Sequence, residues 1–242
     1  MLEYGEGVCM RGRVYGVGVG PGDPELMTLK GARVLREADV IAVPVKATDG
    51  DPAEALAYQI ALQAVPEISS KTLAPIEMPM ANDPASLEAT HRAGADVIAA
   101  LLDDGFTVAF LTLGDPSLYS TFSYLQSLLE KRDYMVEFIS GVPSFCAAAA
   151  RAGIPLALGI EQLHVIPANR LSADELAAGF SRFGTCILMK PSSNLAEIRD
   201  ALCASGRDAI AIERCGLEGE RVYRGIEAIP DGLSYLSVII VR

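Results

Sequence analysis

Three apolar segments of this chain each end in a short turn rich in glycine and proline, after which a helical pattern follows. Segment 14–19 runs into Gly20-Pro21-Gly22, segment 107–112 into Leu113-Gly114-Asp115-Pro116, and segment 136–139 into a turn at 140–143. Buried strands that alternate with helices form β–α–β units, whose strands lie parallel in one sheet. The first two turns are therefore predicted to point toward the same carboxyl edge, where such sheets bind ligands.

Helix starts are predicted at two places where an acidic residue precedes a proline. Asp23-Pro24-Glu25 combines an acid at the N-cap with proline at the first helical position, and Asp83-Pro84 repeats this signature before a helix to about Asp104. The strand at 39–43 is predicted to stop at Pro44. The pattern over 46–83 is weak, and no structure is predicted there.

The second half of the chain has a different pattern, with more strands than helices. Helices are predicted at 144–152 and near 173–181 and 193–204, and strands at 163–166, 185–189, 209–214, 221–223 and 235–241. The last three strands follow each other through short connections, which favours antiparallel pairing. We therefore predict an α/β fold of two α/β domains, the first with a mostly parallel sheet and the second with a mixed sheet. The expected bounds are a tail at 1–12 and domains at 13–116 and 117–242, with the ligand in the cleft between them.

Charge and composition exclude several classes of protein. The 242 residues include 20 Lys and Arg against 31 Asp and Glu, a formal net charge of −11. This acidic balance argues against a nucleic-acid partner, which would require clustered cations. No apolar run approaches the ~18 residues of a membrane span, and the N-terminus has no basic region typical of a secretory signal. No membrane partner is expected either.

Cysteine and histidine usage points to a cytoplasmic protein without a metal site. The five cysteines are odd in number and never spaced C-x-x-C, which indicates reduced thiols: Cys9, Cys146, Cys186, Cys203 and Cys215. The two histidines, His91 and His164, lie far apart in the sequence without neighbours typical of metal ligands. No metal is therefore predicted.

The first glycine-rich turn is similar to a dinucleotide fingerprint but does not match it. In Gly16-x-Gly18-x-Gly20-Pro21-Gly22-Asp23, Pro21 or Asp23 occupies the position of the third glycine. A carboxylate at this turn would also compete with a pyrophosphate for the amides at the helix start. Two interpretations remain: a tight strand-to-helix turn, or a main-chain surface close to an uncharged or cationic ligand.

The other two turns are equally open to structural and functional interpretations. Asp115 could cap the helix that follows it or accept hydrogen bonds from an ammonium group of a ligand. The small residues at 147–150 could serve tight packing or the approach of a ligand. No spacing of residues indicates a catalytic nucleophile, base or acid, so the catalytic residues stay unknown. Such a site suits a reaction that depends on positioning.

Five segments together resemble the tetrapyrrole (corrin/porphyrin) methylase family, from about Arg13 to the C-terminus. They are the segments 17–30, 113–122 and 141–150, followed by Ile187-Leu-Met-Lys190 and Glu213-Arg-Cys-Gly216. Within the family, 119–124 and 213–216 are most similar to the enzymes that methylate carbon 20 of precorrin-2 or cobalt-precorrin-2 in cobalamin synthesis. The resemblance does not distinguish the metal-free substrate from the cobalt-containing one.

The resemblance implies S-adenosylmethionine as methyl donor, S-adenosylhomocysteine as its product, and a homodimer. Carried over position by position, the cofactor contacts would be Pro21, Leu113, Gly114, Asp115, Leu118, Ser120, Thr121, Pro143, Ser144, Met189 and Cys215. The chain departs from the family at three positions. Ser140 stands where many members have proline, Pro143 replaces a hydroxyl residue, and Pro44 replaces an aspartate proposed as a base in some relatives.

A tetrapyrrole with many carboxylates would need a local group of cations on this acidic chain, because Arg–carboxylate pairs bind strongly. The candidates are Arg92, Arg170, Lys190, Arg214, Arg221 and Arg224, although a solvated surface charge is the more common role of such a residue. Three alternatives stay open. The chain could be a family member that methylates another tetrapyrrole carbon or a protein side chain, a nicotinamide-dependent oxidoreductase, or a carrier that binds tetrapyrrole without catalysis.

Overall fold

The computed structural model describes residues 12–46, 50–78 and 83–242. This part of the chain divides into two compact units. The first contains the described residues up to Gly20 together with Pro24–Val142, and the second contains Pro21–Asp23 and Pro143–Arg242. The first unit extends past the boundary expected after residue 116, because a strand at 135–139 pairs with the first strand of its sheet.

The first unit is built on a parallel sheet of five strands. Its strands, within the described residues, are β1 (Arg13–Gly18), β2 (Val40–Val45), β3 (Thr72–Glu77), β4 (Val108–Thr112) and β5 (Met135–Ile139), in the order β3-β2-β4-β1-β5. Its helices are α1 (Leu29–Glu37), α2 (Leu56–Ala64), α3 (Pro84–Asp103) and α4 (Phe122–Glu130). The prediction of a mostly parallel first sheet is therefore confirmed.

An aromatic cluster under the centre of this sheet explains one glycine of the first turn motif. Phe122 of α4 stacks on Phe110 of β4 with ring centroids 5.2 Å apart, and it also contacts Phe138 of β5 at 5.5 Å. A Cβ atom on Gly16 would lie 2.1 Å from the Phe122 ring. Glycine at this position therefore leaves the space in which the aromatic ring packs.

Two local predictions for the first unit are wrong. No α-helix starts at Asp23: a single 3-10 turn covers Pro24–Leu26, and α1 begins at Leu29, where the hydroxyl of Thr28 accepts a hydrogen bond from the Gly31 amide (3.1 Å). Pro44 does not end β2. The half of β2 that contains Pro44 pairs only with β3, so a missing amide donor on its other side is tolerated. The predicted cap at Asp83 is confirmed, since its carboxylate accepts from the Ser86 amide at 2.9 Å.

The second unit contains the predicted mixed sheet. The described strands are β6 (Leu163–Pro167), β7 (Thr185–Met189), β8 (Ala209–Glu213), β9 (Arg221–Arg224) and β10 (Ser237–Val241), in the order β6-β7-β10-β8-β9. β6 and β7 are parallel, and β10 runs antiparallel to both β7 and β8. Its helices are α5 (Ser144–Ala152), α6 (Ala173–Phe180) and α7 (Leu195–Ser205).

Helices contact this second sheet on its apolar residues. Leu176 of α6 and Leu202 of α7 share a buried cluster with Leu188 of β7 and Ile239 of β10. Helix α5 packs against β8 and β10, and its alanines 147–149 are buried. The small side chains of α5 therefore serve close packing in this unit. Among the helices that the structure describes, none combines the length and apolar content that a membrane crossing requires.

Candidate functional site

Three loops of the first unit meet at the carboxyl edge of its parallel sheet. They follow β4, β1 and β5, which are the central strand, its neighbour and the edge strand beside it. Gly114 donates its amide to the Gly20 carbonyl at 2.8 Å, and Gly20 donates in return at 3.3 Å, so the first two loops form an isolated β-bridge. The two turns that were predicted to share this edge therefore do so.

The closeness of the three loops depends on glycines. A Cβ atom on Gly18 would lie 2.5 Å from the Gly114 carbonyl oxygen and 2.7 Å from the Gly141 nitrogen. A Cβ atom on Gly141 would lie 2.1 Å from the same Gly114 oxygen. No side chain fits in these gaps, because atoms that are not bonded need about 3.5 Å or more between them.

The carboxylate of Asp115 joins two of these loops. It accepts hydrogen bonds from the Ser117 amide (2.8 Å) and from the Gly141 amide (3.0 Å), and the Ser117 hydroxyl donates a third. Asp115 does not cap α4, whose N-cap is Thr121, so that interpretation is wrong. A carboxylate offers about four acceptor sites, and three hydrogen bonds of the chain already use most of that capacity.

The other predicted cofactor contacts of the first unit lie in the loop that follows β4. Leu113 and Leu118 are half-buried and offer apolar surface. Ser120 is buried, with its hydroxyl 2.9 Å from that of Thr112 and accepting from the Phe122 amide at 3.2 Å. Thr121 makes no side-chain capping bond. The Ser120 hydroxyl is thus engaged inside the protein, and the Thr121 hydroxyl is the better placed of the two to bind a ligand.

In the second unit, the turn at Pro21–Asp23 packs against the loop that follows β8. A Cβ atom on Gly22 would lie 2.4 Å from the Cys215 carbonyl oxygen, and one on Gly216 would lie 2.5 Å from the Asp23 nitrogen. The segments that carry the predicted contacts Pro21 and Cys215 are therefore adjacent in this unit, although they come from opposite ends of the sequence.

Glu220 holds that loop in place. Its carboxylate accepts from the Gly216 amide at 2.8 Å and forms an ion pair with Arg151 of α5. Burial alone would raise the pKa of Glu220, but the Gly216 amide and the Arg151 guanidinium outweigh it and lower that pKa below its ordinary value. Sequence reasoning missed both residues, because the sequence separation of 69 residues between them leaves no local pattern.

The Cys215 thiol stays protonated near neutral pH. Burial raises its pKa to about 11, the nearby carboxylate of Glu220 raises it further, and Arg151 acts in the opposite direction. A thiol in this state is a poor nucleophile. Cys215 therefore offers a small, weakly polar surface at this position and no thiolate.

The remaining predicted cofactor contacts meet at the start of α5 and the end of β7. Pro143 is the N-cap residue of α5 and makes no side-chain capping bond. Ser144 follows it, and its hydroxyl lies 3.9 Å from the sulfur of Met189. The second unit thus brings Ser144 and Met189 together, as expected if both contact one ligand.

Most of the predicted substrate-binding cations already have partners. Arg92 lies on α3 of the first unit and is paired with Glu88 at 2.9 Å. In the second unit, three arginines donate to main-chain carbonyls: Arg214 to Glu218 at 2.8 Å, Arg221 to Glu220 at 3.0 Å, and Arg224 to Ala152 at 2.7 Å. The side chain of Arg170 lies outside the part of the chain that the structure describes. Lys190 directly follows β7.

Taken unit by unit, the chemistry of these loops suits an uncharged or cationic small molecule. Main-chain groups, apolar side chains and hydroxyls predominate, and the carboxylates of Asp115 and Glu220 are engaged within the chain. Within the described ranges, no group of three or more His, Cys, Asp or Glu side chains could hold a metal ion. The arrangement can position a ligand, and we assign no proton donor or acceptor to it.

Comparison with known sequences identifies relatives over nearly the whole chain. The chain is 33% identical over 234 residues to the precorrin-2 C(20)-methyltransferase of a Sinorhizobium species, covering 95% of each protein. It is 32% identical over 237 residues to the cobalt-precorrin-2 C(20)-methyltransferase of Salmonella typhimurium, covering 96% of this chain and 97% of the relative.

Solved structures share the same fold. A cobalt precorrin-4 methyltransferase of cobalamin biosynthesis aligns with a TM-score of 0.75 at 19% identity, covering 98% of this chain and 97% of the other. A uroporphyrin-III C-methyltransferase from Thermus thermophilus, in complex with S-adenosylhomocysteine, aligns with a TM-score of 0.68 at 22% identity, covering 95% and 97%. The sequence pattern of the Tetrapyrrole (Corrin/Porphyrin) Methylases matches residues 13–228. This chain therefore belongs to the tetrapyrrole (corrin/porphyrin) methylase family.

Proposed function

We propose that this chain transfers a methyl group from S-adenosylmethionine to carbon 20 of precorrin-2 or cobalt-precorrin-2 in cobalamin biosynthesis. The observation that carries the proposal is the likeness, over at least 95% of this chain, to two relatives that are both named for methylation at carbon 20. One relative is named for the metal-free substrate and the other for the cobalt-containing one, at nearly equal identity. Both substrates therefore belong to the proposal.

The loops described above have a chemistry that fits S-adenosylmethionine. This cofactor has no phosphate and carries a cationic sulfonium, which apolar walls and main-chain carbonyls can hold without the desolvation of an ionised partner. In the first unit, Leu113, Gly114, Asp115, Leu118, Ser120 and Thr121 would contribute to its binding. In the second unit, Pro21, Pro143, Ser144, Met189 and Cys215 would do so.

The proposed reaction depends on alignment and on the exclusion of water. S-adenosylmethionine, when bound, would supply an electrophilic methyl group. The electron-rich bridging carbon of the substrate can attack that methyl group without an activating side chain. The methyl–sulfur bond of the donor would break as the new bond forms, S-adenosylhomocysteine would leave, and the bridging carbon would then lose its proton, for which we assign no acceptor. The chain's contribution is to hold the substrate at reacting distance. The half-buried Leu113 and Leu118 would keep water away, and the glycine contacts among the three loops would fix their positions.

The two alternatives outside the methylases have less support. A nicotinamide cofactor needs a helix N-terminus directly after the glycine-rich turn, but a 3-10 turn at Pro24–Leu26 intervenes here and α1 begins only at Leu29. A tetrapyrrole carrier without catalysis would not need a saturable site for S-adenosylmethionine. Measuring the binding of that cofactor separates the carrier from the enzyme.

The test of the proposed function is anaerobic incubation of the pure protein with S-adenosylmethionine labelled in its methyl carbon. Precorrin-2 is offered in one reaction and cobalt-precorrin-2 in another, with reactions that omit the protein as controls. We expect the substrate to gain a methyl group and lose one hydrogen, a net gain of the mass of CH2, and the labelled carbon to appear at position 20 in the NMR spectrum. Initial rates with the two substrates then decide which form is preferred.

Two outcomes would contradict the proposal in different ways. A methyl group at another carbon would leave the family membership intact and refute the position of methylation. Binding of S-adenosylmethionine without transfer to either substrate would refute the substrate assignment. The second result would direct attention to another tetrapyrrole or to a protein side chain as the acceptor.

We also propose that the enzyme is a cytoplasmic homodimer. The dimer is an inference from the family. The compartment is inferred from the thiols, since Cys146, Cys186, Cys203 and Cys215 are free in the described part of the chain. Sedimentation equilibrium of the purified protein tests the dimer, and fractionation of the native cells tests the compartment.

A further inference from the structure

Lys190 has a main-chain conformation that a lysine rarely adopts. Its φ of 55° and ψ of 48° are left-handed, and Pro191 follows it. The left-handed conformation is unfavourable for a residue with a side chain, because its Cβ atom comes too close to the following carbonyl oxygen, and a following proline disfavours helical conformations further. Glycine would fit this position at a lower cost. Main-chain strain of this kind is concentrated at functional sites, where the side chain of the strained residue takes part in function.

Among the cations that the structure describes, the ammonium group of Lys190 is distinguished by partial burial without a partner. Within the described residues, five Lys and Arg side chains make neither a hydrogen bond nor an ion pair: Arg33, Lys46, Lys131, Arg182 and Lys190. The first four are exposed to solvent, whereas Lys190 is half-buried. Partial burial of a charge without a partner is unfavourable, and binding of an anion would remove that cost.

Lys190 is next to residues that we propose for cofactor binding. It directly follows Met189, whose sulfur is contacted by the Ser144 hydroxyl. The other described candidates for substrate binding differ from it, because Arg92, Arg214 and Arg224 already donate to groups of the chain. A lysine without such a bond loses no interaction when it binds a carboxylate.

We propose that the Lys190 ammonium binds a carboxylate of the tetrapyrrole substrate, an inference that rests on the proposed function. The chain has a net charge of −11, so a polycarboxylate needs local cations to bind against the general repulsion. Lys190 meets this need at the end of β7. Its unfavourable main-chain conformation is the cost of holding a cation at that position.

The test compares variants that separate charge from main-chain strain. Lys190→Gly removes both the charge and the strain, Lys190→Asn removes the charge with a residue that tolerates φ above zero, and Lys190→Arg keeps the charge. Asp133→Gly is the matched control. Asp133 also has a left-handed main chain, with φ 61°, but it is exposed after α4, lies far in sequence from Lys190 and is not among the proposed contacts.

Each variant is titrated anaerobically with precorrin-2 and, separately, with S-adenosylmethionine, and its thermal midpoint is measured. For Lys190→Gly and Lys190→Asn we expect the Kd for precorrin-2 to rise about tenfold to hundredfold, the range for a charge-assisted hydrogen bond. The Kd for S-adenosylmethionine should stay within about twofold. Lys190→Arg should recover most of the affinity for precorrin-2. Both glycine variants should keep or raise the thermal midpoint, and Asp133→Gly should bind precorrin-2 like the parent.

The inference is overturned if Lys190→Gly binds precorrin-2 as tightly as the parent. It is also overturned if the variant loses affinity only together with a lower thermal midpoint and weaker cofactor binding, which would mean a structural role. The proposed function fails separately, when the parent binds precorrin-2 but transfers no methyl group. In that case the titrations still decide the role of Lys190. A parent that does not bind precorrin-2 overturns both.

Discussion

Replacing Gly18 with alanine would force apart the main chains that meet at the edge of the first sheet. The new Cβ atom would lie 2.5 Å from the Gly114 oxygen and 2.7 Å from the Gly141 nitrogen. Since atoms that are not bonded pack at about 3.5–4.0 Å, the loops must separate by roughly 1 Å. The hydrogen bond from the Gly114 amide to the Gly20 carbonyl, now 2.8 Å long, would be lost at that separation.

The cost of this substitution follows from two contributions. Overpacking in a tight region costs about 1–3 kcal/mol, and each lost main-chain hydrogen bond adds about 0.5–1.5 kcal/mol. Together they lower the free energy of unfolding by about 2–4 kcal/mol, which corresponds to a fall of roughly 5–15 °C in the thermal midpoint for a chain of this size. A displacement of roughly 1 Å in the loops can also reduce the rate of methyl transfer by about a hundredfold.

Gly232→Ala is the matched control for this prediction. Gly232 has no atom within 4 Å of an added Cβ and does not have a positive φ. The thermal midpoint of the Gly232→Ala variant and its affinity for S-adenosylmethionine should match those of the parent, with a change in the free energy of unfolding within about 0.5 kcal/mol. Thermal unfolding by circular dichroism and calorimetric titration with the cofactor measure both variants. If Gly18→Ala behaves like Gly232→Ala, the loops are not held by these close contacts and the reasoning fails.

Two further predictions concern the loop that follows β8. The lowered pKa of Glu220 means that its ionised form stabilises the folded chain above the ordinary pKa of a glutamate, and that this contribution is lost as pH falls through the lowered value. The thermal midpoint of the parent should therefore exceed that of Glu220→Gln at neutral pH, and the difference should shrink as pH falls through the lowered pKa; a constant difference would contradict this. Because the pKa of Cys215 is about 11, its thiol should react with iodoacetamide at pH 8 far more slowly than that of the exposed Cys203, as measured by peptide mass spectrometry. Equal rates would show that Cys215 is neither buried nor protonated as described.

Much of the fold could be predicted from the sequence where the local pattern was strong. The buried strands β1 and β4 are continuous apolar runs, and their turns carry glycine and proline, so sequence alone indicated both the strands and their common edge. The elements between 46 and 83 were not predicted. Strand β3 contains Pro75 and is only partly buried at the edge of the sheet, and α2 is apolar around most of its surface, so neither has a clear period.

The wrong helix start at Asp23 has a cause outside the local sequence. The sequence at Asp23-Pro24 satisfies the rules for a helix start, but Thr28 satisfies them as well, and only packing decides between the two. The turn at Pro21–Asp23 is held by the loop around Cys215 in the second unit, which leaves the cap to Thr28. Contacts between residues so far apart in sequence have no local signature.

The same limit applies to the candidate site. The residues of the loop after β4 could be proposed from a family resemblance, but what Asp115 does there could not. Its hydrogen bond to the Gly141 amide joins positions separated by 26 residues, and nothing in the sequence distinguishes that bond from a helix cap. Glu220 and Arg151 were missed entirely for the same reason.

The order of strands in the second sheet has a consequence for how the protein is made. Strand β10 lies in the middle of that sheet, between β7 and β8, so the sheet cannot close until the ribosome has synthesised residues 237–241. The first unit has its five strands by Ile139 and can fold earlier. At the usual rates of synthesis the delay is roughly 5–20 s. In the later part of that time β7 and then β8 are synthesised, and the edge of each that later pairs with β10 stays unpaired. A chaperone that binds nascent chains would find exposed apolar strands there.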